Sequence, residues 1–233
     1  MARKVAIVAG VGEGTGAALA RRFHADGYSI ALLARDSGFS QGLATELGDA
    51  KAYACDVGDA ASVDATMAGV RRDLGEADVL LYNASGSTFG SIDDITPAAF
   101  EATWRVSALG SLLLSQAVLP SMKAKGEGAI IFTGATASRR GGPRSAAFAP
   151  AKAAQRALAE SMARSLWPVG IHVAILIVDG VIDLPRTRKM MPDKLDDFFL
   201  KPAAIADIAA HVVAQDRSAW SFEVEARPFK ETW

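Results

Sequence analysis

Cysteine is nearly absent from this sequence, since Cys55 is the only one among 233 residues. A single cysteine cannot form an internal disulfide, which excludes the disulfide-stabilised scaffolds of small secreted proteins and fits a reducing compartment. The three histidines, His24, His172 and His211, lie far apart without metal-ligand spacing, so we predict no metal site.

Long apolar runs and a strong net charge are also missing. No run approaches the ~18 residues of a membrane span. The apolar stretch after Met1-Ala2-Arg3-Lys4 ends within a few residues in a glycine loop, without a persuasive cleavage site, which argues against a signal peptide. A net charge of −1 gives no general attraction to nucleic acid or to anionic membranes. We expect a soluble, cytoplasmic protein that binds neither.

Hydrophobic residues make up 50% of the chain, and 233 residues can bury a sizeable core. The sequence contains no internal repeat, low-complexity tract or interdomain linker. We therefore predict one globular domain over residues 1–233.

The most informative stretch starts with a strand-like run, Val5-Ala6-Ile7-Val8, that breaks into four alternate glycines. These glycines are Gly10, Gly12, Gly14 and Gly16. Glycine permits a tight turn and lets an anion approach main-chain N–H groups. A helix starting at Ala17 would direct its positive end at that anion. The alternative is a plain tight turn, but the flanking strand and helix favour a phosphate-binding loop.

Apolar runs and helical segments alternate along the rest of the chain. Further strands are predicted at 29–34, 51–55, 78–82, 129–133 and 172–178, with a short late strand near 222–224. Helices are predicted up to Leu47 after the second strand, and over 60–74, 97–119 and 148–167. Strands that are apolar throughout indicate a sheet covered on both faces. With alternating helices, the fold class is α/β, a doubly wound parallel sheet of the Rossmann type.

Ligands of such sheets bind beyond the carboxyl ends of the strands, and the residues there form a pattern. It consists of Gly10-x-x-x-Gly14-x-Gly16, Asp56-Val57, Asn83-Ala84 and Lys152 in the helix after the fifth strand. Through this pattern the chain resembles the short-chain dehydrogenase/reductase family over essentially its whole length. The resemblance implies a nicotinamide dinucleotide and hydride transfer to or from a carbonyl or alcohol.

The resemblance also implies which residues would hold the cofactor. The pyrophosphate would lie on the glycine loop, with Gly12 and Thr15 beside the three motif glycines. The adenine ring would contact Asp56 and Val57, the ribose Asn83 and Lys152, and the carboxamide Gly180 and the backbone of Ile182. The alternatives are that Asp56 only caps the next helix and that Asn83 only forms a turn.

The choice of dinucleotide depends on the end of the second strand, where NAD-preferring relatives place an acidic residue. This chain has Ala34 there, followed by Arg35, whose guanidinium suits a ribose 2′-phosphate. Glu13 in the glycine loop and Asp36 oppose that preference. We predict NADP, with NAD as the alternative.

The catalytic positions depart from the family pattern. Relatives use a tyrosine as proton donor or acceptor, supported by a serine, an asparagine and a lysine. Here Phe148 stands at the tyrosine position, Ala135 at the serine and Ser107 at the asparagine, so that only Lys152 remains. Phenylalanine cannot exchange a proton, and positioned acid–base catalysis typically contributes about 10²–10⁴ in rate.

No other side chain is an obvious replacement for the missing phenol. Hydroxyls at Thr133, Thr136 and Ser138 are poor general acids near neutral pH, and packing is favoured over catalysis for Tyr82. Asp179 replaces a proline and Leu184 a threonine that surround the nicotinamide in relatives. These two substitutions remove side chains that surround the nicotinamide in relatives.

Two basic clusters suggest an anionic substrate, with solvated loop charges as the alternative. They are Arg139, Arg140 and Arg144 after the fifth strand, and Arg186, Arg188 and Lys189 after the sixth. By analogy with relatives, residues 184–202 would form a substrate lid, and the helices at 97–119 and 148–167 would build a homodimer or homotetramer.

Two functions remain open. One is an NADP(H)-dependent oxidoreductase that acts on a small carbonyl, alcohol or enone by an unusual proton-transfer route. The other is a dinucleotide-binding protein without turnover that serves as a cofactor sensor or partner subunit.

Overall fold

The computed structural model describes residues 3–230, which form a parallel sheet between helices. Its strands are β1 (Val5–Ala9), β2 (Ser29–Ala34), β3 (Ala50–Ala54), β4 (Val79–Tyr82), β5 (Gly128–Ala135), β6 (Ile171–Val178) and β9 (Glu223–Ala226). Two short strands, β7 (Val181–Ile182) and β8 (Phe199–Leu200), pair separately. The helices are α1 (Thr15–Ala25), α2 (Gly38–Leu47), α3 (Ala60–Asp73), α4 (Pro97–Trp104), α5 (Gly110–Lys125), α6 (Phe148–Leu166), α7 (Pro185–Met190) and α8 (Pro202–Val213).

The large sheet has the order β3-β2-β1-β4-β5-β6-β9, and each neighbouring pair is parallel. Successive side chains of each strand point to opposite faces. Ile7 therefore packs on one face with Met67 of α3 and Leu114 of α5, while Val8 packs on the other face with Phe23 of α1. Both faces are apolar and covered, which confirms the predicted doubly wound α/β fold.

The prediction of one continuous helix over 97–119 is wrong. It consists of α4, a π-helical segment (Arg105–Leu109) and α5, which extends to Lys125. A π-helical turn changes the main-chain hydrogen bonding from i→i+4 to i→i+5 without ending the helix, so helix propensity does not reveal it. Helix α8 was not predicted, although Ile205, Ala206 and Ala209 form a buried stripe at helical spacing.

The chain runs outward from the centre of the sheet in both directions: β1 is followed by β2 and β3 on one side, and β4 by β5 and β6 on the other. The switch point lies between β1 and β4. Such a switch point leaves a crevice at the carboxyl ends of the two strands. No helix among residues 3–230 is both long and apolar enough to cross a bilayer.

Candidate active site

A cleft of about 1340 Å³ opens at this switch point. Typical ligand pockets occupy ~300–1,000 Å³, so the cleft has room for more than one small molecule. The predicted site residues that line it are Gly10, Gly12, Gly14, Thr15, Gly16, Arg35, Val57, Asn83, Ala135, Phe148, Lys152, Gly180 and Ile182. Ser107 and Asp56 are the predicted site residues that do not line it.

The loop between β1 and α1 requires glycine at two positions. Gly10 has φ +87°, and a Cβ there would lie 2.5 Å from the Cα of Ala84. At Gly16 a Cβ would overlap the carbonyl oxygen of Gly10. By contrast, a Cβ at Gly12 would meet nothing within 4 Å. The first and last glycines therefore bring the loop against the end of β4, and Gly12 is free of that constraint.

The start of α1 presents hydrogen-bond donors that the protein does not satisfy. The first amides of a helix have no partner within it, and among the described residues none bonds the amides of Thr15 and Gly16. The Thr15 hydroxyl is also buried without a partner. An anionic group at this point would satisfy these donors and would interact favourably with the helix dipole. The loop therefore fits the pyrophosphate of a dinucleotide.

Asn83 closes the other side of the loop. Its Nδ2 donates to the carbonyl oxygen of Gly10 at 2.8 Å, and its main-chain N–H donates to Ala9 at 2.9 Å. These bonds join the end of β4 to the glycine loop. Asn83 thus shapes the cleft as well as lining it, which the sequence did not reveal.

Three charged residues line the part of the cleft formed by the glycine loop and the end of β2: Glu13, Arg35 and Asp36. The Arg35 guanidinium is exposed and forms no ion pair among the described residues. Asp36 instead accepts a hydrogen bond from the amide of Gly38 at 2.9 Å. Arg35 is thus free to meet an anionic group.

Asp56 is exposed and does not line the cleft, and its carboxylate closes a local turn; its predicted adenine contact stays a prediction. The carboxylate accepts the Gly58 amide at 2.9 Å. It does not cap α3 either, since that helix is capped by Asp59, which accepts from Ser62 at 3.1 Å. Val57, the neighbour of Asp56, does line the cleft.

Lys152 is 3% exposed, and its ammonium is held by neutral acceptors. Nζ donates to the carbonyl of Thr133 at 2.7 Å and to Oε1 of Gln155 at 3.0 Å. Burial lowers the pKa of this ammonium to about 7, because a charge is costly in a medium of low dielectric constant. The contact with Gln155 was not foreseen, although its position three residues along α6 places it on the same helix face.

Ser107 lies within the π-helical segment and is fully buried. Its hydroxyl accepts the Gly86 amide at 3.1 Å, which fixes the loop after β4. The hydroxyl thus holds the loop after β4 from outside the cleft lining, and the role of Ser107 at the asparagine position stays a prediction.

Phe148 forms the apolar wall of the cleft with Phe89, whose ring centroid is 4.8 Å away. Phe89 is 57% exposed, so the pair presents an aromatic surface to a ligand. Ala135, at the end of β5, adds a methyl group and no hydroxyl. Neither residue at these two positions therefore offers a hydroxyl to a ligand in the cleft.

Asp179 and Leu184 occupy the positions expected near the nicotinamide. Asp179 is buried outside the cleft, where its carboxylate accepts from the Thr136 hydroxyl and from Arg227 at 2.5 Å. Leu184 lines the cleft and packs on Gly14. The acidic side chain is thus held by the protein, while the leucine side chain covers the glycine loop.

Tyr82 is a packing residue, as predicted. Its side chain is fully buried, packs 6.1 Å from Phe132 and donates from its hydroxyl to the carbonyl of Val106. Burial raises the pKa of this phenol far above neutrality. Tyr82 therefore cannot replace the tyrosine missing at Phe148.

A family model described as short chain dehydrogenase matches residues 4–194. The chain belongs to the short-chain dehydrogenase family.

Individual relatives agree with this assignment. The chain is 28% identical over 221 residues to the 3-oxoacyl-(acyl-carrier-protein) reductase MabA of Mycobacterium tuberculosis, covering 91% of this chain and 86% of that protein. A short-chain dehydrogenase structure from Rhodopseudomonas palustris matches with 32% identity and a TM-score of 0.82, covering 97% and 99% of the two chains. An alcohol dehydrogenase from Thermococcus sibiricus complexed with 5-hydroxy-NADP matches with 26% identity and a TM-score of 0.87, covering 99% and 98%.

In this short-chain dehydrogenase, each of the two basic clusters contains one arginine that forms ion pairs within the protein and one that lines the cleft. Arg139 pairs with Glu223 at 2.7 Å and also with Glu225, and Arg188 pairs with Asp183 at 2.6 Å and Asp196 at 2.7 Å. These two arginines are therefore structural and unavailable to a substrate.

The two arginines that line the cleft are Arg140 and Arg186. Arg140 is exposed over 65% of its side chain, and its nearest carboxylate oxygen, on Asp179, is 3.8 Å away. Arg144 and Lys189 are exposed and do not line the cleft. Two of the six basic residues are thus placed to meet a bound molecule.

Proposed function

We propose that this chain is an NADP(H)-binding oxidoreductase that transfers hydride between the nicotinamide and a small carbonyl, alcohol or enone. The observation that carries the proposal is the set of unsatisfied donors on Thr15 and Gly16, in a cleft with room for cofactor and substrate. Relatives described as reductases and as NADP complexes support it.

Arg35 supports NADP over NAD. A guanidinium binds phosphate through charge-assisted hydrogen bonds, and Arg35 lies on the cleft wall without a competing carboxylate partner. Glu13 lines the same cleft and opposes this preference. We assign NADP as the preferred cofactor and NAD as the alternative.

When bound, the dinucleotide supplies or accepts the hydride. The protein's own contribution would be to hold and orient it: the glycine loop would bind the pyrophosphate, and Gly180 and Ile182 would meet the carboxamide. The rings of Phe89 and Phe148 would give the substrate an apolar surface to contact.

The substrate we propose combines an apolar body with an acidic group. The Phe89–Phe148 pair would contact the apolar part, while Arg140 and Arg186 would bind the anion. Residues 184–202, which carry Leu184 and α7 along the cleft, would act as the lid. One domain would comprise all of these residues, and the protein would assemble as a homodimer or homotetramer.

Stopped-flow absorbance of bound NADPH against a panel of aldehydes, ketones and enones, with and without a carboxylate, tests the proposal. We expect oxidation by the natural protein, faster with the acidic substrates. The charge-reversal variant with Arg140→Glu should lose that advantage, whereas Arg144→Glu, outside the cleft, should keep it. Equal rates for acidic and neutral substrates in the natural protein would contradict the anionic substrate.

A second function, dinucleotide binding without turnover, is favoured by one observation: neither Phe148 nor Ala135 carries a hydroxyl. In that case NADPH would bind tightly but remain reduced with every substrate. The variant Phe148→Tyr, run beside the natural chain, would then gain activity or stay inert. Oxidation by the natural chain would exclude this second function.

A further inference from the structure

Lys152 is a buried cation without a counterion. No carboxylate of the described residues pairs with Nζ, and its two protein partners are the Thr133 carbonyl and the Gln155 amide. An ammonium has three hydrogens to donate. Two of these hydrogens bond the protein. Because Lys152 also lines the cleft, its third hydrogen is the one available to a ligand.

A chain of hydrogen bonds holds the Gln155 amide in one orientation. The Ser111 hydroxyl donates to the carbonyl of Ser107 at 2.6 Å, so its oxygen accepts the bond from Nε2 of Gln155 at 2.9 Å. This places Oε1, an acceptor, against Lys152. The polarity of the chain therefore keeps Lys152 as the donor in both of its protein bonds.

These two bonds survive a change of protonation state. A neutral amine still has two hydrogens, which bond Thr133 and Gln155, and it then directs its lone pair into the cleft. The ammonium directs a hydrogen there instead. Lys152 can therefore pass from proton donor to proton acceptor, as seen from the cleft, without any rearrangement of the buried network.

We propose that Lys152 is the proton source and proton acceptor of the reaction, in place of the tyrosine that Phe148 replaces, and that Gln155 and Ser111 are its positioning residues. This inference rests on the proposed function. During reduction, the carbonyl carbon accepts hydride from a reduced nicotinamide dinucleotide and the carbonyl oxygen takes up the proton released by the ammonium. The C=O π bond breaks, C–H and O–H bonds form, and the neutral amine regains a proton from solvent. Alcohol oxidation runs through the same groups in reverse.

The surroundings leave Lys152 as the group that titrates near neutrality. The groups that face it from β5 and α6 are a carbonyl and an amide, and α5 supplies a hydroxyl to the chain. Of the other titratable groups, Tyr82 on β4 adjoins Ser111, Cys55 after β3 lines the same cleft as Lys152, and burial raises the pKa of both. They stay neutral over the range in which Lys152 changes its charge.

The first measurement is the ¹³Cε chemical shift of Lys152 in lysine-labelled protein without added dinucleotide, assigned with Lys152→Arg. We expect a midpoint about 3.5 pH units below that of exposed lysines. The variant Gln155→Glu, which sets a carboxylate against the ammonium, should raise the midpoint by more than about one unit. Ser111→Ala should lower it, while Ser115→Ala, which removes an equally buried hydroxyl bond one turn along α5, should leave it unchanged.

The second measurement is the single-turnover rate with bound cofactor as a function of pH. Carbonyl reduction should slow tenfold per pH unit above the Lys152 midpoint, alcohol oxidation should slow below it, and both breaks should move with the midpoint in Gln155→Glu and in Ser111→Ala. Turnover at a rate that does not change across the Lys152 midpoint, or a Lys152 midpoint above pH 9, would overturn the proposed role of Lys152 and leave the proposed function standing. Tight NADPH binding without oxidation of any substrate would overturn the proposed function and this inference together.

Discussion

Gly10 shows how strongly a single residue determines the cleft. Its backbone has φ +87°, which L-residues rarely adopt, and a Cβ would meet the backbone of Ala84 at 2.5 Å. We expect Gly10→Ala to lower the free energy of unfolding by about 1–3 kcal/mol from backbone strain, with a further loss from overlap. NADPH binding should fall as well.

Urea unfolding and an NADPH fluorescence titration check this prediction. Gly12→Ala is the matched control, because a Cβ there meets nothing within 4 Å. It should unfold at the urea concentration of the natural protein. Equal unfolding midpoints for the two variants would mean that the loop is not held as described.

Arg35 carries the predicted cofactor preference, also at the residue scale. Removing a charge-assisted contact typically costs about 1.5–3 kcal/mol, so Arg35→Ala should weaken NADPH binding on the order of 10- to 100-fold and leave NADH nearly unchanged. Isothermal titration with both dinucleotides measures this. Arg71→Ala, exposed on α3 outside the cleft, should alter neither, and an equal loss for NADPH and NADH in Arg35→Ala would refute the preference.

At the scale of elements, β9 is attached to the rest of the sheet by ion pairs as well as by main-chain bonds. Glu223 of β9 accepts from Arg156 of α6 at 2.5 Å and from Arg139 at 2.7 Å. Burial opposes ionisation of Glu223, but the bonds from the two arginines outweigh it and hold its pKa below the usual 4.5.

A carboxyl group with a lowered pKa stabilises the fold above its unfolded pKa, and this contribution is lost as pH falls through the folded value. We therefore expect the thermal midpoint to fall on acidification below about pH 4.5. Glu223→Gln should lower the midpoint at pH 7 and flatten that acid dependence. Glu46→Gln, in an exposed pair with Arg21, should change the thermal midpoint much less. Calorimetry from pH 7 to pH 3 compares the natural protein with the two variants.

At the scale of the whole molecule, the proposed assembly depends on the helices that flank the cleft. Phe100 and Trp104 lie one turn apart on α4 and are 40% and 39% exposed, which is unusual for two large side chains on one face. We expect light scattering to give a dimer or tetramer and Trp104→Asp to give monomers. Val169→Asp, an exposed apolar position after α6, should stay assembled, and a monomeric natural protein would contradict the proposal.

Much of this molecule follows from local sequence. The order of strands and helices, the parallel sheet and the phosphate-binding loop are predictable because apolar runs, helical periodicity and glycine spacing act over a few residues. The absence of a phenol at Phe148 and of a hydroxyl at Ala135 is likewise visible in the sequence. The interruption of the helix after Trp104 is not, because a π-helical turn changes the hydrogen-bond pattern without ending the helix.

The partners of the charged residues were decided only by the tertiary structure. Glu223 is 84 residues from Arg139, and Gln155 is 44 residues from Ser111. Nothing local indicates that Arg139 is held by β9 while Arg140, the next residue, lines the cleft. The same holds for Lys152, whose pKa depends on burial among β5, α5 and α6. Charge pairing and desolvation act between segments distant in the chain, so packing, rather than residue type, separates the groups available for chemistry from those that hold the fold.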